Sequence, residues 1–310
     1  MPKYLDPKAD LTFKKVFAEH KDLMISFLNA LLPLDGDSTV RSIEYLPAEL
    51  VPNNPLKKDT IVDVRCTDQI GRGFIVEMQM IWTSAFQQRV LFNASKVYSH
   101  QLDKGGSYSD LKPVFSLNLV NDVFRHDTDE CYHDYGIVDM KYKEQVIEGI
   151  HLIFIELPKF KPHSFKEKRM AVLWLRYLTE INEQTRKAPQ ELLDNPETRK
   201  ALDIVEESAY TDVQMAYYDD FWDAVRIQRM FADDAKNSLQ KGYEKGMQKG
   251  MAQGMEKGIE KGMAQGMAQG MEKGAHEEKI RNAKKMKQLG MPTDTIGQIT
   301  GLAVSEIETL

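Results

Sequence analysis

Residues 59–81 read DTIVDVRCTDQIGRGFIVEMQMI, and the fold turns on how that stretch is parsed. Within 59–67, Ile61, Asp63 and Arg65 alternate with Val62, Val64 and Cys66. A period of two marks a strand with two unlike faces. Within 73–81, Phe74, Val76, Met78 and Met80 fall on one face. The intervening Asp68-Gln69-Ile70-Gly71-Arg72-Gly73 has turn composition, so the two strands are predicted to close as a hairpin. Asp63 is then expected mid-strand, with Glu77 and Gln79 two residues apart on one face of the next strand. Hairpin closure brings the three to one point. Carboxylates gathered there form a hard-oxygen site suited to Mg²⁺ or Mn²⁺, which polarises a phosphate and lowers the pKa of a bound water. The plainer reading is the solvated face of a half-exposed hairpin, and the alternation alone leaves both open.

Working outward, residues 10–32 carry Phe13, Phe17, Leu23, Phe27, Leu28 and Leu31 at helical spacing. One helix is predicted there, with Asp10 as its N-cap and Pro33 as its stop. Strands are predicted at 40–48, 113–121 and 150–157, and a helix at 84–104. Residues 164–235 read as helical, with Trp174, Leu175 and Leu178 on one apolar face and Phe221, Trp222 and Val225 on another. The first half is therefore mixed α/β and the middle is helical.

The 310-residue chain is long enough for a sizeable core. Cys66 and Cys131 have no partner at metal-ligand spacing, which argues against zinc. The opening MPKYLDPKAD lacks the apolar run of a signal peptide and no stretch has the length of a membrane span, so a cytoplasmic protein without a membrane partner is expected. A net charge of −6 argues against binding by phosphate neutralisation alone. It does not argue against an enzyme that reaches phosphates through a cation, since such a site must itself be acidic. HxxxH, GxSxG and Walker-type loops are absent, and His126 and His133 are read as surface residues in an acidic loop.

Glycine recurs at 242, 246, 250, 254, 258, 262, 266, 270 and 274, separated by Met, Glu, Lys, Gln and Ala. Each helical glycine costs about 1 kcal/mol relative to alanine. A four-residue step overshoots a helical turn by about 40°, so the glycines wind round a helix and form no straight stripe. A semi-flexible linker and an oligomerisation helix are both compatible with the pattern. After it, KIRNAKKMKQLG, PTDTIGQITG and AVSEIETL suggest three short helices, the last two resembling a helix-turn-helix. The last helix has no Arg or Lys for phosphates, so protein docking fits it at least as well; Lys279 to Lys287 is the better phosphate candidate.

Six segments in order resemble the PD-(D/E)XK nuclease superfamily, and more narrowly its recombination-promoting (Rpn) nucleases, also described as PD-(D/E)XK family transposases. They are DPKADLTFKKVF (6–17), KKDTIVDV (57–64), GFIVEMQ (73–79), the helix from Arg89 through KVYSHQLDKGGSY (96–108), LKPVFSLNLV (111–120) and FIELPKF (154–160). The resemblance implies an α/β fold with a restriction-endonuclease-like core, ordered helix, three-stranded hairpin sheet, helix, strand. That core would occupy 1–160, followed by a helical extension at 161–237, the glycine repeat at 238–278 and a small helical tail at 279–310. It implies a Mg²⁺-dependent DNA endonuclease, Mn²⁺ serving as well, linked to recombination or mobile elements. Asp63 takes the superfamily's Asp position and Glu77 the (D/E) position, and with the backbone carbonyl of Met78 they would hold the metal. Gln79 stands where the superfamily usually has lysine, as it tends to in the Rpn group, and offers a donor and an acceptor but no charge. Lys58 and Lys96 are candidates for a cation supplied from elsewhere. Asp10 could assist the metal as a first-helix acid, and Lys14, Arg89, Lys96 and Gln101 could face DNA. The partners implied are DNA and, through the glycine repeat, a second copy of the chain. Two alternatives stand beside this: a DNA-binding or oligomerising protein that lost catalysis at Gln79, and a scaffold whose function lies in the repeat.

Overall fold

The computed structural model describes residues 3–50, 60–102, 105–162 and 169–310. The chain forms two compact units, Met1–Phe231 and Ala232–Leu310.

The first unit opens with α1 (Asp10–Phe17) and α2 (Lys21–Leu31). The predicted single helix at 10–32 is therefore two. His20 and Lys21 fall where a continuous helix would need apolar residues, and the chain breaks there. The break lets Phe17 pack on Phe27, with ring centroids 4.3 Å apart, and on Trp174 at 5.5 Å. Asp10 is not the N-cap: Ala9 holds that position, without a side-chain cap.

The strands are β1 (Ile43–Tyr45), β2 (Glu49–Leu50), β3 (Thr60–Ile61), β4 (Val64–Asp68), β5 (Gly73–Gln79), β6 (Val114–Val120), β7 (Tyr132–Val138) and β8 (Val146–Glu156). Six form one mixed sheet in the order β1-β4-β5-β6-β8-β7, and β2 with β3 forms a separate pair. β1, β4 and β5 are antiparallel neighbours; β5, β6 and β8 are parallel; β7 returns antiparallel to β8. The link from β5 to parallel β6 is a crossover through α3 (Ser84–Ser99), whose N-cap Thr83 accepts the Phe86 N–H.

Asp63 does not lie mid-strand. It occupies a bend between β3 and β4, where the chain leaves its pairing with β2 and joins the main sheet. β7 was not predicted, because its acidic flank reads as loop. His133 is on that strand and is buried, contrary to the surface position expected for it.

Helices α4 (Arg169–Glu180), α5 (Gln190–Asp194) and α6 (Pro196–Ile204), with α1 and α2, cover one face of the sheet. Phe13, Phe17, Phe27 and Trp174 meet Phe74, Val76 and Leu117 in that core. α3 covers the other face, where Ala94 and Val97 pack on Ile75 and Val114. α7 (Asp212–Gln288) begins in the first unit, where Tyr218 packs with Leu5 and Val225 with Met80 and Ile81.

In the second unit the glycine repeat is helical, as part of α7. Residues 279–288 finish α7, so they are not the separate short helix expected. Gly290 and Gly301 take left-handed φ values of 78° and 71° and end α7 and α8 (Thr293–Thr300). α9 (Val304–Glu308) follows, and Ala283, Ile296, Leu302 and Ile307 form a small core. Lys287 of the basic stretch donates to the carbonyls of Ile307 and Glu308. Among the described residues no helix is long and apolar enough to cross a membrane.

Candidate active site

The α3 side of β5 carries Gly73, Ile75, Glu77 and Gln79 in turn. A Cβ on Gly73 would stand 3.0 Å from Val97 Cγ1 and 3.3 Å from Val114 Cγ2, so this glycine admits α3 close to the sheet. Further along, Ile75 packs under Ala94 and Val97. Beyond it the polar half of the strand meets the earlier turns of α3, where Arg89 and Asn93 sit.

Glu77 is only 4% exposed. Arg89 Nη2 donates to its Oε2 at 3.3 Å and to Gln79 Oε1 at 2.9 Å. Asn93 Nδ2 donates to Glu77 Oε1 at 3.1 Å. The two carboxylate oxygens are thus held by two residues one helical turn apart. Burial raises the Glu77 pKa, and the Arg89 charge and both hydrogen bonds oppose the rise. Gln79 is fixed at both ends of its amide, since Nε2 donates to the Ile81 carbonyl at 2.8 Å.

Asp63 Oδ2 accepts the Met78 N–H at 2.7 Å. The carboxylate takes the donor that a strand carbonyl would have met had β4 run on past Val64, which pairs with Val76. The same register sets Asp63 beside Glu77. Although Asp63 keeps some solvent access, surrounding protein pushes its pKa up to about 7, and the Glu77 charge adds to the rise against the Met78 hydrogen bond. The Gln79 carbonyl accepts from Asn121 on the β6 side, so the neighbouring Met78 peptide groups face the opposite, Asp63 side.

Asp10 lies in the first turn of α1 and bonds Lys14 Nζ through Oδ1 at 2.7 Å and the Tyr217 hydroxyl through Oδ2 at 3.0 Å. Burial works against the Lys14 charge, yet the Asp10 hydrogen bond and the charges of Asp10 and Asp63 outweigh it and raise the Lys14 pKa. Lys14 therefore sits in the electrostatic field of Asp63. Lys96 lies one turn beyond Asn93 with Nζ 5.3 Å from the Phe92 ring centre. Gln101 is past the end of α3, not on it as expected, and its amide clasps both main-chain groups of Lys112 at 2.9 and 2.8 Å. Those bonds give Gln101 a structural task. Lys58 lies outside the described residues.

Among the described residues no group of three or more His, Cys, Asp or Glu is assembled for a metal. The donors at this point are two carboxylates and a main-chain carbonyl. All are hard oxygens, and burial disfavours the charge of both acids even with Arg89 and Lys14 nearby. That donor chemistry fits Mg²⁺ or Mn²⁺, ions that keep several waters and take few protein ligands.

Two residues at the site escaped sequence reasoning. Asn93 carried a signal: it is a polar residue among the inward-facing Val90, Ala94 and Val97. Tyr217 carried none, being 207 residues from the Asp10 it bonds. A third feature lies at the same end of the strands, where Gln79 pairs with Val120 and Val120 with Glu156. The buried Glu156 accepts from His133 at 2.7 Å, Lys159 at 2.9 Å and the Phe124 N–H at 2.8 Å. Burial would raise its pKa, but these donors hold it below the usual carboxylate value. The cluster anchors the loop after β6.

Two acids thus lie on adjoining segments of a mixed sheet, backed by a helix. Residues 7–235 match the model of the PD-(D/E)XK nuclease family transposases, and the chain belongs to that family. Neither a search of curated proteins nor one of solved structures found a match.

Proposed function

We propose that this protein is a Mg²⁺-dependent DNA endonuclease acting in recombination or element mobility, with Mn²⁺ able to replace Mg²⁺. The observation that carries the reading is the Asp63–Glu77 pair, with Arg89 reaching both Glu77 and Gln79. When bound, the cation supplies polarisation of the scissile phosphate and acidification of a water. Asp63, Glu77 and the Met78 carbonyl would hold it. Gln79 lacks the charge of a lysine, and Arg89 brings a permanent one to the same place. In this reading Gln79 is the rest on which the guanidinium is aligned. Lys14 is placed to meet phosphate on the α1 side, with Asp10 and Tyr217 orienting it.

One observation favours the alternative of a fold retained for binding alone: both ends of the Gln79 amide are already engaged. Purified protein should nick supercoiled plasmid with Mg²⁺, and Asp63→Ala and Glu77→Ala should each abolish nicking. DNA binding without cleavage across several divalent metals would establish the alternative. Wild-type cleavage by both variants would remove these acids from the site. The helical repeat at 242–274 remains our proposed contact with a second copy of the chain; sedimentation of a deletion variant tests it.

A further inference from the structure

Asn93 is fully buried, in the middle of α3, on the side that faces β5. Its Nδ2 is the donor to Glu77 Oε1, while Arg89 takes the other oxygen. Its Oδ1 is buried too and has no hydrogen-bond partner among the described residues. A buried acceptor left without a donor is costly, and native proteins keep few of them. The amide cannot be turned to relieve this, because the opposite orientation would set two oxygens, Oδ1 and the Glu77 carboxylate, against each other.

We propose that Asn93 is a positioning residue for the metal site: its amide holds the Glu77 carboxylate in the rotamer that receives the divalent cation, and leaves its own Oδ1 unpartnered in doing so. The inference rests on the metal-site reading of Asp63 and Glu77. Arg89 alone does not perform the task. Its side chain is 45% exposed, and it is shared with Gln79. Asn93 is enclosed by packed neighbours and supplies the rigid half of the clamp. Groups that orient a metal ligand in this way typically change metal affinity by roughly 10–100-fold when removed.

The test is Mn²⁺ affinity of the full chain, measured by titration calorimetry or by the electron paramagnetic resonance of free Mn²⁺. The proteins are wild type, Asn93→Leu, Asn93→Ala, Glu77→Gln and the Asn93→Leu/Glu77→Gln double variant. Asn93→Leu keeps the size and removes the donor without adding a charge, and its circular dichroism and melting curve show whether it folds. The expected result is a loss of roughly 10–100-fold in Mn²⁺ affinity for each folded Asn93 variant, with no further loss when Asn93→Leu is added to Glu77→Gln. Wild-type affinity in either folded Asn93 variant, alongside a loss in Glu77→Gln, overturns the role of Asn93 and leaves the metal site standing. Absence of Mn²⁺ binding by wild type overturns both.

Discussion

At the residue scale, Asp63 shows what surroundings do to a single acid. Its pKa is pushed to about 7 by burial, with the Glu77 charge adding to the rise. An acid whose pKa is raised on folding binds more protons in the native state than in the unfolded chain. Its contribution is stabilising below the unfolded value of 3.8 and is lost as pH climbs toward 7. Metal-free wild type should therefore lose stability relative to Asp63→Asn across that window, by an amount on the order of a few kcal/mol. Urea melts of both proteins at pH 4, 5.5 and 7 in EDTA read this difference. A gap independent of pH would show that Asp63 titrates normally. The sequence places this residue mid-strand, and the fold sets it at a bend within the field of Glu77. Alternation at 59–67 cannot reveal that the chain changes sheets at Val62, because both halves are extended and both obey a period of two.

At the element scale, the spacing between α3 and β5 decides whether Arg89 and Asn93 reach Glu77. That spacing depends on Gly73, where an added Cβ would press Val97 at 3.0 Å and Val114 at 3.3 Å. Gly73→Ala should cost about 1 kcal/mol and Gly73→Val about 1–3 kcal/mol, through overpacking. Because α3 carries the clamp on Glu77, nuclease activity should fall by more than the folded fraction does. Specific activity corrected for folded protein measures this; unchanged specific activity in a destabilised Gly73→Val would show that α3 tolerates the shift. The breaks in the predicted elements have equally local causes. His20 and Lys21 interrupt the apolar stripe between α1 and α2, a signal the sequence does contain. By contrast, β7 owes its place to pairing with β8 and to the His133–Glu156 bond, and neither is visible in its own residues.

At the scale of the whole molecule, the net charge of −6 and the acidic site make DNA an unwelcome partner without a cation. Affinity for a DNA duplex should rise by about tenfold or more when Ca²⁺, which fills such oxygen sites, replaces EDTA at constant ionic strength. Fluorescence anisotropy with labelled duplex tests this, and equal affinity in EDTA would place binding on basic side chains away from the acids. The first unit holds every residue of the proposed centre, including Tyr217 at the start of α7. The family match extends to residue 235, just past the end of that unit.

The sequence by itself determined the α/β class, the turn at 68–73 and the order of segments that marks the family. Each follows from short-range rules: side-chain alternation, turn chemistry and helical spacing act over a few residues. Tertiary structure alone decided that Arg89 reaches both Glu77 and Gln79, that Asn93 and Arg89 divide the Glu77 carboxylate between them, and that Tyr217 closes on Asp10. Those contacts depend on how closely a helix lies on a sheet and on chain segments as much as 207 residues apart. The antiparallel pairing of β4 with β5 is local; what surrounds Glu77 exists only once α3 is folded against that pair.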